Sequence, residues 1–240
     1  MLPAQGCRLG RFLLVQIGGQ SPDVCRHRLH RSRGAWSLLE FGRAQRFGSR
    51  DQVYTEPHKV LDKLNEHVLM LLRQDIRTEA SIPAELLRDL ALPVEHLPST
   101  YTGGQDGMDL AMVAINWEHM TVEFAGANNP LFLVRDGQLQ EFKPDKFAIC
   151  SFEPGAKNYE VQKMDVQSGD TLFLATDGFV DQFGGPRGKK FMRRRFRELL
   201  VETASLPVSE HEAHLRAKFE DWRGDEEQVD DVLVVSMRVP

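Results

Sequence analysis

The 240-residue sequence has few cysteines and no long apolar run, and both shortages exclude classes of protein. Its three cysteines, Cys7, Cys25 and Cys150, are odd in number and share no spacing typical of metal ligands. Neither a disulfide framework nor a zinc module is therefore indicated. No apolar run approaches the roughly 18–20 residues that cross a bilayer, and the apolar residues 12–15 are too few for a signal sequence. We expect a reduced, cytoplasmic protein without a membrane span.

Residues 1–50 contain no lysine, and they differ in charge from the rest of the chain. They hold nine arginines against two acids, Asp23 and Glu40, a formal charge of +7; the remainder holds 21 basic and 33 acidic residues, a charge of −12. Neither helical nor strand periodicity persists in this segment, so no secondary element can be placed there. We predict an aberrant, Arg-rich segment over residues 1–50 that is not natively folded, followed by a domain over residues 52–240. Because that domain is net acidic, nucleic acid is not an expected partner.

Beyond residue 52 the hydrophobic pattern predicts a domain of helices and strands. Pro57 can occupy the first position of a helix, and apolar residues then recur at helical spacing. These residues are Val60, Leu61, Leu64, Val68, Leu71 and Leu72. Strands are predicted over residues 110–115, 121–125, 131–135, 138–142, 171–176 and 232–239. The pair Asp136-Gly137 indicates a two-residue hairpin turn. Strands in runs, then helices, then a last strand predict an α+β fold with mainly antiparallel sheets.

Three further helices are predicted, over residues 84–92, over residues 189–203 and after a capping box formed by Ser209 and Glu212. The inward residues of the second are Phe191, Met192, Phe196, Leu199 and Leu200, and those of the third are His211, Leu215, Phe219 and Trp222. His211 and His214 are three residues apart, but His211 belongs to an apolar stripe, so a zinc site is not expected. The basic residues Arg193, Arg194, Arg195 and Arg197 are interpreted as a solvated helix face, with attraction of a phosphorylated partner as the alternative.

Three acidic residues flank the two most apolar predicted strands. Asp177 follows the strand over residues 171–176, whereas Asp230 and Asp231 precede the strand over residues 232–239. If these strands are antiparallel neighbours, the end of one and the start of the other share an edge, and the carboxylates can reach one cation. Oxygen ligands of this kind suit Mg²⁺ or Mn²⁺. The alternative is that the acids only cap strands or turns.

Four stretches of the sequence resemble the SpoIIE/RsbU-type protein serine/threonine phosphatases, relatives of the PP2C-like family. They are GDTLFLATDGFVDQFGG at residues 169–185, DGMD at 106–109, GANNP at 126–130 and QVDD at 228–231. The resemblance implies an αββα sandwich of antiparallel sheets flanked by helices, with two divalent ions, Mn²⁺ or Mg²⁺, at one edge. It implies metal-site positions at Asp177, Gly178, Asp230 and Asp231. Further candidates in the site loops are Asp106, Asp109 and Asp181; Asp109 has the alternative role of stabilising its glycine-rich turn.

The family resemblance also implies a reaction and a partner. Metal ions lower the pKa of a bound water, and the resulting hydroxide attacks phosphorus without a covalent enzyme intermediate. The expected substrate is phosphoserine or phosphothreonine on a small bacterial regulatory protein of the anti-sigma-factor-antagonist type. Such domains usually follow a sensor domain, and we expect none in this chain.

Two early motifs of the family are missing from residues 1–50. The family carries a strand resembling SGDFYWF and then a loop resembling DCTGHGVPGAF, whose acid bridges both metals. If the codons are read one base later, residues 11–16 can become DFYWFK and residues 28–41 can become DCTGHGVPGAFLSL, with Arg11 and Arg28 in the places of the two aspartates. The single codon of Trp36 forces a glycine there, as the motif requires. We hypothesise that residues 3–48 are an out-of-frame translation; the alternatives are an Arg-rich targeting peptide and a natural extension.

This hypothesis leaves the domain incomplete at its N-terminus, without its first strands and its first metal-binding loop. Without the bridging carboxylate, cation binding at Asp177 and Asp230 should weaken severely. We therefore expect phosphatase activity to be lost or very weak. The alternatives are a non-catalytic pseudophosphatase that binds its partner in partner-switching signalling, and a defective gene product without function.

The out-of-frame hypothesis predicts the nucleotide sequence. Codons 1–60, read one base later, should encode both missing motifs, with the family frame restored near codon 50. Sequencing this region of the gene is the test. Codons that cannot yield the motifs in the shifted frame would refute the hypothesis.

Overall fold

The computed structural model describes residues 11–18, 24–28, 56–75, 107–150 and 158–240. The strands are β1 (Arg11–Gly18), β2 (Val24–Arg28), β3 (Asp109–Asn116), β4 (Thr121–Ala127), β5 (Leu131–Arg135), β6 (Gln138–Phe142), β7 (Gln162–Asp165), β8 (Thr171–Ala175), β9 (Phe183–Gly184), β10 (Lys189–Lys190) and β11 (Leu233–Arg238). The helices are α1 (Pro57–Asp75), the short α2 (Gly178–Asp181), α3 (Arg193–Ala204) and α4 (His211–Arg223). None of the helices described combines the length and the apolar character needed to cross a membrane.

Two sheets form the centre of the domain. One has the order β1-β3-β4-β7 and the other β2-β11-β8-β5-β6. Within both sheets the strands pair antiparallel except for β1, which lies parallel to β3. Helix α1 packs on the first sheet, and α3 and α4 pack on the second. The αββα sandwich expected from the sequence is confirmed.

The residues between the two sheets form the central hydrophobic cluster. Each sheet contributes alternate apolar side chains, because successive residues of a strand point to opposite faces. The first sheet supplies Ala111, Val113, Ile115, Val122 and Phe124, and the second supplies Leu131, Leu133, Leu172, Leu174, Leu233, Val235 and Met237. Each such side chain contributes about 1.5–3 kcal/mol when it is fully buried.

Helix α1 covers the outer face of the first sheet. Its residues Val60, Leu61 and Val68 are buried, as the periodicity predicts. One turn apart on α1, the Oδ1 atoms of Asp62 and Asn65 accept hydrogen bonds from the backbone N–H groups of Tyr159 (2.9 Å) and Cys150 (2.8 Å). Burial raises the pKa of the Asp62 carboxyl, although the Tyr159 N–H opposes that effect. These two contacts fix the chain on both sides of residues 151–157 to the helix.

Cys150 is a free thiol in the core beneath α1. Burial raises its pKa to about 12. Because the thiolate is the reactive form, burial makes this thiol a poor nucleophile at neutral pH.

The hydrophobic cluster of α3 and α4 lies on the outer face of the second sheet. The ring of Phe179 is at its centre, with the rings of Phe191, Phe196 and Phe219 at centroid distances of 5.0, 5.2 and 5.1 Å. Phe179 follows Asp177 and Gly178 directly. This aromatic cluster therefore anchors the segment that carries the predicted site residues to the core.

The structure corrects two predicted helix starts. Helix α3 begins at Arg193 rather than at residue 189, because the N–H groups of Phe191 and Met192 bond back to Gln182 and Val180. Met192, predicted to face inward, is 55% exposed. The predicted capping box is also wrong: a 3₁₀ turn (Val208–Glu210) precedes α4, and Glu210 precedes the helix without a side-chain cap.

The strands predicted after residue 109 are confirmed to within two residues. Asp136 and Gly137 have the positive φ values, 49° and 72°, of the predicted hairpin turn. β7, β9 and β10 were not predicted. The structure has strands β1 and β2 in residues 1–50, where no element was predicted. Their sequences lack strand periodicity, and the two strands are defined by their pairing with β3 and β11. The helix predicted over residues 84–92 lies outside the described residues.

An ion pair fixes the start of β8. Arg135 donates from Nε and Nη2 to the two carboxylate oxygens of Asp170 (2.8 and 2.5 Å), and Gln167 N–H donates to the same carboxylate (2.9 Å). Asp170 is 1% exposed, whereas the Arg135 side chain is 37% exposed. The carboxylate therefore depends on these donors in place of water.

Replacing Asp170 with asparagine should lower the free energy of unfolding by about 3 kcal/mol, because an amide cannot accept both guanidinium bonds in a buried site. Urea denaturation at neutral pH measures this change. The pair Lys163–Glu123, whose lysine side chain is 69% exposed, provides the control, and Lys163→Met should cost less than about 1 kcal/mol. Equal losses in the two variants would contradict the structural role of Asp170.

Candidate functional site

Asp177, Asp230 and Asp231 lie at one edge of the second sheet, which we call the acidic edge. β8 ends two residues before Asp177, and β11 begins two residues after Asp231. The strands pair antiparallel with Ala175 opposite Val234, so the end of β8 meets the start of β11. The arrangement inferred from the sequence is present in the fold.

The side chain of Thr176 joins the two segments of the acidic edge. Its hydroxyl donates to the carbonyl oxygen of Asp231 (2.8 Å) and accepts from the N–H of Leu233 (3.0 Å). The Thr176 N–H also donates to the carbonyl of Leu233 (3.0 Å). Thr176 is 2% exposed, so water does not compete for these bonds. They hold Asp177 at a fixed position beside Asp231.

Gly178 brings the backbone after Asp177 against the same segment. A β-carbon at this position would collide with the carbonyl oxygen and carbon of Asp231. Only glycine therefore permits this approach. Asp230 Oδ1 accepts from the N–H of Asp231 (2.7 Å), and Gln228 Nε2 donates to the Asp230 carbonyl (2.7 Å). The turn before β11 is thus ordered by its own side chains.

Gln182 is a positioning residue that sequence reasoning missed. It is fully buried, and its Nε2 donates to the carbonyl oxygens of Phe183 (3.0 Å) and Glu227 (2.9 Å). Its backbone carbonyl accepts from Trp222 Nε1 (3.1 Å). These bonds connect α2 to the loop that leads to Asp230. The available signal was its position within the stretch of residues 169–185 that carries the family resemblance.

A cleft of about 710 Å³ opens beside Asp177. Asp109 and Asp181 also line it, together with Asn128, whose Nδ2 donates to Asp109 Oδ1 (2.7 Å). Asp181 is paired with Lys190 at 3.2 Å. The cleft therefore brings together two of the three predicted site-loop residues with the first residue of the acidic edge. Asp106 lies outside the described residues.

The described residues do not complete a metal centre. In the ranges given above, no group of three or more histidine, cysteine, aspartate or glutamate side chains is placed to hold an ion. Metal binding at Asp177, Gly178, Asp230 and Asp231 thus stays a prediction.

The backbone register of β1 and β2 identifies two further positions at this end of the sheets. Arg11 pairs with Asp109 in the parallel β1–β3 ladder, and Arg28 pairs with Leu233 in the β2–β11 ladder. These are the two arginines that take the places of aspartates in the shifted reading frame. The out-of-frame hypothesis predicts an acid at both positions.

Comparison with known proteins gives one family. The model of the family "Stage II sporulation protein E (SpoIIE)" matches residues 52–240. The solved SiaA-PP2C domain of Pseudomonas aeruginosa is 27% identical, with a TM-score of 0.54 over 75% of this chain and 70% of that chain. A SpoIIE structure from Bacillus subtilis, containing the PP2C phosphatase domain and a fragment of the regulatory domain, is 18% identical, with a TM-score of 0.45 over 73% of this chain and 49% of that one. No curated protein matches the chain significantly.

The role assigned to Thr176 can be tested by two substitutions. Thr176→Val keeps the shape but leaves Leu233 N–H and the Asp231 carbonyl without this partner, which should lower the free energy of unfolding by about 1–3 kcal/mol. Thr176→Ser retains the hydroxyl and should cost about 1 kcal/mol or less, the loss of one methyl group. Urea denaturation of both variants makes the comparison. A serine variant as unstable as the valine variant would show that the hydroxyl is not what joins the segments.

Proposed function

Since the chain belongs to the SpoIIE family of PP2C-type phosphatases, we propose that its cleft is built for metal-dependent dephosphorylation of phosphoserine or phosphothreonine on a regulatory protein. The observation that supports this proposal is the fixed approach of Asp177 to the Asp230–Asp231 turn at the side of the 710 Å³ cleft. A pocket of this size accommodates a phosphorylated side chain with its neighbours.

The residues assigned to the metals are Asp177, Gly178, Asp230 and Asp231, with Asp109 and Asp181 in the adjoining loops. Divalent ions held there, Mn²⁺ or Mg²⁺, would supply an activated water and neutralise phosphate charge. The donor set described is too small for two ions, because within the described ranges no three acidic, histidine or cysteine side chains are placed together to hold even one ion. We therefore infer that this chain, as it stands, has little or no phosphatase activity.

The proposed partner is a phosphorylated protein of the anti-sigma-factor-antagonist type, in the cytoplasm of a bacterium. This assignment rests on the family. Nucleic acid is not proposed, because the part of the chain beyond residue 50 carries an excess of acidic residues.

A second candidate function is a pseudophosphatase that binds its partner without metals. What supports it is that Arg11 and Arg28, which pair with Asp109 and Leu233, stand where the out-of-frame hypothesis predicts acids, one of them the acid that bridges the metals in the family. A metal-dependent enzyme requires its ions for turnover, whereas a pseudophosphatase should bind its phosphorylated partner in the presence of a chelator.

Phosphate release from a phosphoserine protein, measured with Mn²⁺, tests the proposal. The present chain should release little or none, whereas a chain whose residues 3–48 are replaced by the shifted-frame reading should be active. In that restored chain Asp177→Asn should reduce activity about 100-fold or more, because a bound metal supplies several kcal/mol of transition-state stabilisation.

The exposed Asp225, on the loop after α4, provides the matched control, and Asp225→Asn should leave activity unchanged. An inactive restored chain that is folded would count against the phosphatase assignment. Strong Mn²⁺-dependent activity of the present chain would refute the inference that its site is incomplete.

A further inference from the structure

The cleft beside Asp177 has a basic side that the metal assignment does not use. Lys143 and Lys146, in the segment after β6, and Arg193, at the start of α3, all line it. All three residues are exposed. We call these three residues the basic wall.

The basic wall is available to a ligand, because none of its side chains is paired with a carboxylate within the described part of the chain. The fourth cation of the cleft, Arg197, is bound to Glu141, whose side chain is only 13% exposed. That pair neutralises a carboxylate that would otherwise repel an anion. The carboxylate of Asp181 is likewise paired with Lys190. The cations of the basic wall therefore face a cleft in which two of the acids are already compensated.

The other arginines of the Arg193–Arg197 region have different roles. Arg194 is 90% exposed, pairs with Glu198 and does not line the cleft. Arg195 lies over the Trp222 ring at 4.6 Å. The interpretation of this run as a solvated helix face thus fits Arg194, whereas Arg193 has a place in the cleft.

A buried amide provides a second, independent indication of a ligand. Asn129 lines the same cleft and is 3% exposed, yet its Nδ2 has no hydrogen-bond partner within the described residues. A buried donor without a partner costs about 1–3 kcal/mol. An acceptor oxygen of a bound molecule would remove that cost.

Resting on the proposed function, we propose that the basic wall and Asn129 form the substrate subsite, which binds a phosphorylated, acidic segment of the partner protein next to the acidic edge. A phosphoserine carries a charge of about −1.5 to −2 and three strong acceptor oxygens. Its oxygens accept charge-assisted hydrogen bonds from lysine and arginine, and neutral ones from an amide N–H. The cleft is larger than a single phosphate group, so acidic residues on either side of the phosphoserine reach the remaining cations. Binding at this subsite does not require a metal ion.

Binding of a fluorescein-labelled acidic peptide with one phosphoserine, measured by fluorescence anisotropy in EDTA with the full chain, tests this subsite. Arg193→Ala and Lys146→Ala should each weaken binding about tenfold, since each removes a charged hydrogen bond. Asn129→Asp, which replaces the donor with a carboxylate at nearly the same volume, should weaken it at least as much. Binding should also weaken as salt is raised.

Arg194→Ala is the matched control, because it removes the same charge from the same helix outside the cleft. Its affinity should stay within about twofold of the unmodified chain. Circular dichroism and thermal melting establish that every variant is folded. The subsite is refuted if the phosphorylated and unphosphorylated peptides bind alike, if Arg193→Ala binds normally, or if Arg194→Ala loses as much affinity.

Peptide binding and phosphate release, measured on the same variants, distinguish a failure of the subsite from a failure of the catalytic proposal. Peptide binding in EDTA that depends on Arg193, together with an inactive restored chain, would overturn the phosphatase assignment and leave the subsite. Phosphate release by the restored chain, with normal peptide binding by Arg193→Ala, would overturn the subsite alone.

Discussion

The two hydrogen bonds of the Thr176 hydroxyl hold the site together. The β8–β11 ladder ends where β8 stops and β11 begins, and the two segments separate there. The buried backbone groups at this point still need hydrogen-bond partners. The hydroxyl supplies both a donor and an acceptor, so it continues the pairing for one more step. The approach of Asp177 to Asp231, and the contact that excludes any residue but glycine at position 178, follow from this connection.

β8, which is buried over all five residues, is held by polar contacts at its start as well as at Thr176. At its start, Asp170 is held by Arg135, and its backbone carbonyl accepts from Val239 N–H (2.8 Å). At its end, Thr176 makes the bonds described above. A strand fixed at both ends by polar contacts inside an apolar layer cannot slip in register without leaving buried groups unpaired. The cleft consequently opens against a rigid support on its β8 side.

The sequence predicts those parts of the molecule that depend on local pattern. Apolar spacing locates α1 and six of the strands after residue 109, namely β3, β4, β5, β6, β8 and β11. The order of Asp177 and Asp230 relative to two apolar strands predicts their common edge. Non-local contacts are not predicted in this way. Met192 has helical spacing but is exposed, because hydrogen bonds to Val180 and Gln182 hold the chain before α3. Gln182 lies within a stretch that resembles the family, but local pattern does not reveal its role, because that role depends on a loop 45 residues later.

β1 and β2 show that strand pairing and metal binding depend on different groups of the chain. Strand pairing uses backbone N–H and C=O groups, which every residue except proline supplies, so a ladder accepts many different side chains. β1 and β2 can thus pair with β3 and β11 whatever side chains they carry. Metal binding has no such tolerance, because it requires carboxylate oxygens at defined positions. The register places Arg11 opposite Asp109 and Arg28 opposite Leu233. If the out-of-frame hypothesis holds, strand pairing is therefore kept while the metal site loses two acids. Under that hypothesis, membership of the family and possession of its activity depend on different parts of this chain.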